Sequence, residues 1–371
     1  MSDPAASSTD PIDALISEIV SGRRRLHELP SELAAETAAE VRRRAIEQIT
    51  DSRLAAVGNY SLDAARASTR HCENFIGATQ IPLGIAGPFK IRGSRVDPGE
   101  EIFVPMATTE GALIASINRG ARAMLESGGA TVLVEDIGMT RAPAFRTSGI
   151  EETREFLAWV ESHYDEIQRV CEGTSSHLKL LEIKPQVIGS SIYLRFRFAT
   201  GDAMGMNMAT IACDRVVRDL IEPEARVPCV ALSGNFCVDK KPSAVNFLEG
   251  RGKRIYAEVE LAADVLQSVL KTRASSLVEV QYRKNLLGSI AAGAMGFNAH
   301  IANVLAAFFV ATGQDVAQVV EGAMGVTCIE PRPPTACLLR STCRTSPWVW
   351  SAAAPRWLPN AKPSTFSAPA L

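Results

Sequence analysis

The sequence predicts an α+β fold, and three observations carry that prediction. Residues 142–232 read as strand, helix, strand, strand, helix, strand, the order of a split βαβ, ferredoxin-like unit. Segments of different character flank that stretch on both sides, so it reads as a small domain inserted into a large mixed α/β one. The large part resumes at Ser233 and contains an apolar run that predicts a long central helix over 289–312.

The elements follow in chain order. Residues 1 to about 12 are polar and predict a disordered start. From Pro11 to about Gln48 apolar residues recur at Ile12, Leu15, Ile16, Ile19 and Val20, a helical period that Pro30 divides into two helices. The arginine triplets at 23–25 and 42–44 suit phosphate binding or, beside Glu28 and Glu40, solvated helix faces. Residues 75–105 alternate Gly and Pro with short apolar runs, which predicts strands and tight turns. A helix is expected over 108–127, stopped by Gly128 and Gly129, and then a strand over 131–135. Inside the small domain, strands are expected at 142–146, 177–188, 191–198 and 227–232, and helices at 151–170 and 203–221.

Residues 331–371 break with this pattern. They contain no Asp or Glu, although the chain has 41, and they hold three of the four Trp and eight of the 20 Pro. No helical or strand period is visible there, and a proline-rich linker does not ordinarily carry three tryptophans.

Composition narrows the function. The 371 residues include 39 basic and 41 acidic ones, a formal charge of -2, which argues against a dedicated nucleic-acid binder. Apolar content of 46% and charged content of 22% are those of an ordinary globular protein. Eight cysteines without a C-x-x-C pair predict neither a disulfide framework nor a zinc site, and therefore a reducing, cytoplasmic setting. The polar start lacks the order of a signal peptide. The uncharged run Gly288–Gln314 is long enough to span a bilayer, but Asn298, His300 and Asn303 at its centre favour a buried helix and no membrane span.

The standard nucleotide and hydrolase signatures are absent: no G-x-G-x-x-G, P-loop, H-E-x-x-H or G-x-S-x-G. Five clusters remain. They are ENFIGATQIPLGIAGP (73–88), MATTEGALIASINRG (106–120), DIGMTRAP (136–143), GDAMGMNMAT (201–210) and LSGNFCVDKKPSAVN (232–246). A weaker sixth comprises Lys284, Asn285, Asn298, His300, Asn303 and GQDVAQ with Asp315. Taken singly they are ambiguous. Glu110 suits a charge at a helix N-terminus. Lys240 and Lys241 form either a surface turn or a cationic turn able to steady an oxyanion. Asp315 suits a helix end, His300 a hydrogen-bonded core position, and Asp202 a helix cap.

In this order, over about residues 60–330, the clusters resemble the catalytic portion of the 3-hydroxy-3-methylglutaryl-coenzyme A (HMG-CoA) reductases, and DAMGMN is closer to the eukaryotic-type class. The resemblance implies reduction of a thioester to a primary alcohol with two hydrides from NADPH, releasing mevalonate and coenzyme A, with no metal. It also implies a large substrate domain (61–142 and 233–330), an inserted NADP-binding domain (143–232), and a homodimer or higher homo-oligomer with shared active sites. The membrane anchor of many eukaryotic members has no counterpart in this sequence.

Roles carry over by position. Lys240 of D-K-K-P matches the family lysine that faces the developing oxyanion, Glu110 of T-T-E-G the proton donor, and Asp315 of G-Q-D the aspartate between them. In such a trio one cation offsets one carboxylate, so the other carboxyl can keep a proton near neutral pH. The HMG carboxylate would meet Arg141, Ser233, Lys241 and Lys284, with Asn303 nearby; Arg141 offers a planar fork for it. Ser116, Asn118 and Arg119 match the region that approaches coenzyme A, and Ser175, Asp202, Met206 and Asn207 the positions at the nicotinamide nucleotide.

Two departures stand out. The eukaryotic-type members carry an arginine where this chain has Ser176, which removes one contact to a 2′-phosphate and leaves the choice between NADPH and NADH open. The family's C-terminal histidine, which protonates the departing thiolate, and its G-T-V-G-G-G-T segment are both missing: the five histidines end at His300. Codons permitted for Ser351–Asn360, read one nucleotide earlier, can encode GGGTALAAQ. A shifted reading frame near Pro331–Pro334, with a disordered tail beyond it, is therefore the expectation. The alternative to an active enzyme is an impaired family member that retains ligand binding at most.

Overall fold

The computed structural model describes residues 10–93, 101–332 and 336–346. The first nine residues and those from 347 on, where disorder is expected, lie outside the described residues. The chain divides into two compact units, 1–82 and 83–371.

In the first unit, the helix Pro11–Val20 starts where Asp10 accepts the Ile12 N–H at 3.0 Å, with proline in its first turn. The chain breaks near Pro30 as expected and resumes helix over Ala35–Thr50. Ile16 and Ile19 of the first helix pack on Val41 and Ala45 of the second. The arginine triplets brace this unit. Arg24 pairs with Glu18 and Arg44 with Asp13, both at 2.7 Å. Arg42 and Arg43 donate to the carbonyls of Leu26 (2.8 Å) and Ile76 (3.0 Å).

The second unit is built on a sheet that contains ten strands among the described residues. They are β1 (Leu83–Gly93), β2 (Glu101–Ala107), β3 (Ala130–Arg141), β4 (Ala144–Arg146), β5 (Lys179–Ile188), β6 (Ser191–Ala199), β7 (Cys229–Ala231), β8 (Arg251–Leu261), β9 (Gly325–Arg332) and β10 (Ala336–Ser346). The main path runs β7-β4-β6-β3-β8-β10-β9, with β1 on β2 and β3, and β5 on β6. The β1–β3 pair is parallel and the other strand pairs are antiparallel, so the fold is mixed α/β with a largely antiparallel sheet.

One core is drawn wholly from residues 145–227. Its sheet face is β6, where Ile192, Leu194, Phe196 and Phe198 alternate inward and are fully buried. Helices Ile150–Ser162, Tyr164–Glu172 and Met206–Val216 cover that face with Phe156, Val160, Ile167, Ala209 and Ala212. A second core joins β8 and β10 through Val259, Leu261 and Cys337 to Val265, Leu266 and Val269.

Four expectations need correction. The long central helix is interrupted: only Ser289–Ala291 and Ile301–Thr312 are helical. Between them Gly293 turns to φ +68°, and Phe297 pairs its backbone with Gly325 and Thr327, which draws the segment onto β9. Asn298 then accepts the Ile301 N–H at 3.1 Å, restarting the helix. The helix expected from 108 begins at Leu113, because β2 continues to Ala107 in register with Leu83 and Ala112 adopts φ +66°. Glu110 thus lies on a turn, not on a helix. The helix expected over 151–170 breaks at His163, whose ring stacks on Trp159. Lastly, residues 336–346 form β10 between β8 and β9, although no strand period is visible there. Its backbone meets two ready edges, and that pairing outweighs the weak local pattern.

Candidate active site

The turn between β7 and the helix Ala244–Glu249 is unusually constrained. Asn235, Val238 and Lys240 all take positive φ (+62°, +54°, +57°) without being glycine. Such residues cost about 1–3 kcal/mol each and persist where the surroundings over-determine them. The surroundings here are explicit. Gly234 N–H donates to Ala142 O at 2.7 Å, Thr140 Oγ1 to Cys237 O at 2.9 Å, and Asn246 Nδ2 to Val238 O at 2.8 Å.

The result aims Lys240 at Asp315. Its Nζ lies 2.6 Å from Asp315 Oδ2, and both side chains stay about 40% exposed (41% and 37%). Asp315 is held in turn by the Ala317 N–H at 3.1 Å, since it caps the short helical turn Val316–Gln318. The Asp315 hydrogen bond raises the ammonium's pKa against partial desolvation, so Lys240 stays charged at neutral pH. The pair is a cation with an accessible face, suited to an oxyanion rather than to giving up a proton.

Glu110 is placed elsewhere. Its carboxylate accepts from Asn303 Nδ2 at 3.3 Å. Asn303 lies in the first turn of the helix Ile301–Thr312, and Asp315 lies just past the last. Nine residues of helix advance about 14 Å. The structure therefore forms two pairs, Lys240–Asp315 and Glu110–Asn303, at opposite ends of one helix. The expected trio is not assembled within one chain.

The other predicted positions divide similarly. Arg141, at the end of β3, donates twice to Thr210 Oγ1 (3.0 and 2.7 Å), which holds its guanidinium against the helix Met206–Val216. Ser233 contacts Cys237 Sγ at 3.4 Å, and Lys241 turns back to Asp239 O at 3.3 Å. Lys284 is exposed on the π-helical stretch Gln281–Gly288. Ser116 and Arg119 are exposed, whereas Asn118 is engaged with β1, accepting Gly87 N–H at 2.8 Å. Ser175 meets Met208 Sδ at 3.5 Å, which brings it to the helix that begins with Met206 and Asn207.

A cleft of about 260 Å³ opens beside that helix, lined by Asp136, Thr200, Gly201, Asp202, Met204 and Lys253 among others. Gly201 has φ +61° with open space at its Cβ position, so its backbone is approachable. Asp202 offers a carboxylate for ribose hydroxyls. The volume lies below the ~300–1,000 Å³ usual for a whole ligand. The residues present fit one end of a dinucleotide. Among the described residues no group of three or more His, Cys, Asp or Glu is placed to hold a metal, and no helix is long and apolar enough to cross a membrane.

The family model described as hydroxymethylglutaryl-coenzyme A reductase matches residues 38–344. This chain belongs to that family. The curated reductase of Methanothermobacter thermautotrophicus is 47% identical over 320 residues, covering 86% of this chain and 80% of that protein. That of Haloferax volcanii is 47% identical over 317 residues (85% and 78%). Among solved structures, the class II HMG-CoA reductase of Streptococcus pneumoniae bound to NADPH superposes with a TM-score of 0.61 at 16% identity, covering 91% of this chain and 84% of that one. That likeness speaks to the fold. By family, the chain is an NADP-dependent oxidoreductase of HMG-CoA.

Several reductase residues lie outside the motif-based reading. Arg251 and Glu321 are fully buried beneath the Lys240 turn, joined by Asp239, Asn246, Gln318 and Thr140. The available signal was a single acidic residue, Glu321, inside the apolar run 316–324.

Proposed function

We propose that this chain carries out the two-step NADPH-dependent reduction of HMG-CoA to mevalonate and coenzyme A, with Lys240 as the oxyanion stabiliser. The observation that carries the reading is the 2.6 Å Lys240–Asp315 pair on a turn that the rest of the fold constrains. NADPH, when bound, supplies the hydrides. The chain's own residues do the remainder. Lys240 faces the thioester oxygen as negative charge develops there. Glu110 delivers the proton to that oxygen. Arg141, Ser233, Lys241 and Lys284, with Asn303 close by, receive the HMG carboxylate. Ser116, Asn118 and Arg119 lie toward coenzyme A, and Ser175, Asp202, Met206 and Asn207 toward the nucleotide.

Glu110 stands apart from Lys240 within one chain, so the proposal includes a homo-oligomer in which one copy's Glu110 completes the site of another. A C₂ pairing would supply both sites at once. The proposal also keeps 143–232 as an inserted nucleotide-binding domain of ferredoxin-like order within a substrate domain of 61–142 and 233–330. Supporting that are the separate core of residues 145–227 and the antiparallel order β7-β4-β6-β5. Solvent-facing placement in the cytoplasm belongs to the same reading.

A second reading rests on the absence of histidine after His300. The chain as written then lacks the thiolate's proton donor and binds ligands without efficient turnover. The missing G-T-V-G-G-G-T segment and the permitted overlapping codons over Ser351–Asn360 support a shifted reading frame near Pro331–Pro334. Two experiments decide. NADPH oxidation with HMG-CoA by this chain supports the enzyme reading, and its absence alongside retained coenzyme A binding supports the second. Sequencing the DNA across codons 325–345 tests the frame: a family-like overlapping frame is expected, and an intact single frame without one removes the idea.

A further inference from the structure

The turn that carries Lys240 rests on a polar cluster closed to solvent. Arg251 and Glu321 have side chains of 0% exposure and meet at 2.5 Å. Glu321 Oε2 accepts from Asn246 Nδ2 at 3.0 Å, and the same amide nitrogen donates to Val238 O at 2.8 Å. Arg251 reaches on to Asp239 Oδ1 at 3.0 Å and Thr140 Oγ1 at 3.1 Å. Gln318 Nε2 donates to the same Asp239 oxygen at 3.1 Å. Asp315, Gln318 and Glu321 follow at intervals of three along one short helical run. The first holds the Lys240 ammonium, the second holds Asp239, and the third holds Asn246 and Arg251, which engage Val238 and Asp239 just before Lys240.

We propose that Glu321 is a positioning residue for Lys240, fixing the left-handed turn through Asn246 at Val238 O and through Arg251 at Asp239, so that the ammonium stays on Asp315. The proposal rests on Lys240 being the catalytic cation. Stability alone does not explain the cluster, because a buried ion pair adds little over apolar residues of the same volume. It does explain how a non-glycine residue keeps φ +57°. Glu321 is fully buried and does not line the cleft, so it acts through the turn. Burial, against the attraction of Arg251 and with the repulsion of Asp239, lifts its carboxyl to about 7.

The test reads the amine rather than turnover. The full chain is labelled competitively with acetic anhydride at neutral pH, and acetylation of Lys240 is measured by mass spectrometry against Lys253. Asp315→Asn, which removes the ammonium's partner, sets the level for a released Lys240. Glu321→Gln is expected to raise Lys240 acetylation several-fold toward that level with Lys253 unchanged, since each unit of lowered amine pKa exposes about tenfold more free base. Glu321→Asp, which keeps the charge but withdraws it by one methylene, is expected to give a smaller rise in the same direction. If Glu321→Gln fails to fold, the Asp variant decides alone. Unchanged Lys240 labelling in a folded Glu321 variant, with Asp315→Asn raised, overturns the proposal. Lack of turnover in the unaltered chain would count against the reductase reading and leave this result standing.

Discussion

Arg251 Nη1 lies 2.5 Å from Glu321 Oε1, and neither side chain reaches solvent. Removing one partner strands the other charge in the interior. Arg251→Ala is expected to lower the unfolding free energy by about 3–5 kcal/mol. Replacing both, as Arg251→Met with Glu321→Leu, is expected to recover most of that loss. Urea unfolding followed by circular dichroism compares the two. Equal losses would mean that the pair's charges do not set the penalty.

The same carboxyl predicts a pH dependence. Its folded pKa is raised from 4.5 to about 7, chiefly by burial. Between those values the native state binds more protons than the unfolded one, so this group's contribution to stability declines as pH rises through that window. Urea midpoints measured from pH 5 to pH 8 should show this component, and Glu321→Gln should remove it.

Lys240 is expected to act on rate. Lys240→Ala should lower kcat by about 10²–10³-fold, the usual loss for a removed oxyanion donor, while KM for HMG-CoA changes little. Lys241→Ala should instead raise KM, as befits a ground-state carboxylate contact. Steady-state NADPH oxidation by a reading-frame-restored protein separates the two patterns. A Lys240→Ala variant with unaltered kcat removes the residue from its role.

The separation of Glu110 from Lys240 yields a complementation test. Glu110→Gln and Lys240→Ala should each be inactive alone. Co-expressed, they should recover partial activity, because one site of the mixed dimer then combines an intact Glu110 with an intact Lys240. Absence of recovery in an isolated mixed dimer would place the whole site in one chain.

Legibility in the sequence follows the range of the physics involved. Strand β6 is readable because Ile192, Leu194, Phe196 and Phe198 repeat at the strand period and one face is buried. The stretch 289–312 misleads because local apolarity does not reveal that Phe297 pairs with β9. Lys240 and Asp315 stand out through the motifs around them. Arg251 does not, since it looks locally like a surface charge, and Glu321 is marked only as a lone acid in an apolar run; tertiary contact shows that both are buried and paired. Glu110 shows the same limit in reverse: its residue type is evident, but its turn is decided by how far β2 runs.

The position of β10 bears on how the molecule is made. It is the last described strand in the chain, yet it sits between β8 and β9 rather than at a border. During vectorial synthesis β8 can find β3 early but must present its other side unpaired until residues 336–346 leave the ribosome. That interval exposes a long hydrogen-bonding edge to neighbouring nascent chains. Lower expression temperature or added chaperone should accordingly improve the yield of folded protein more than any change at the active site.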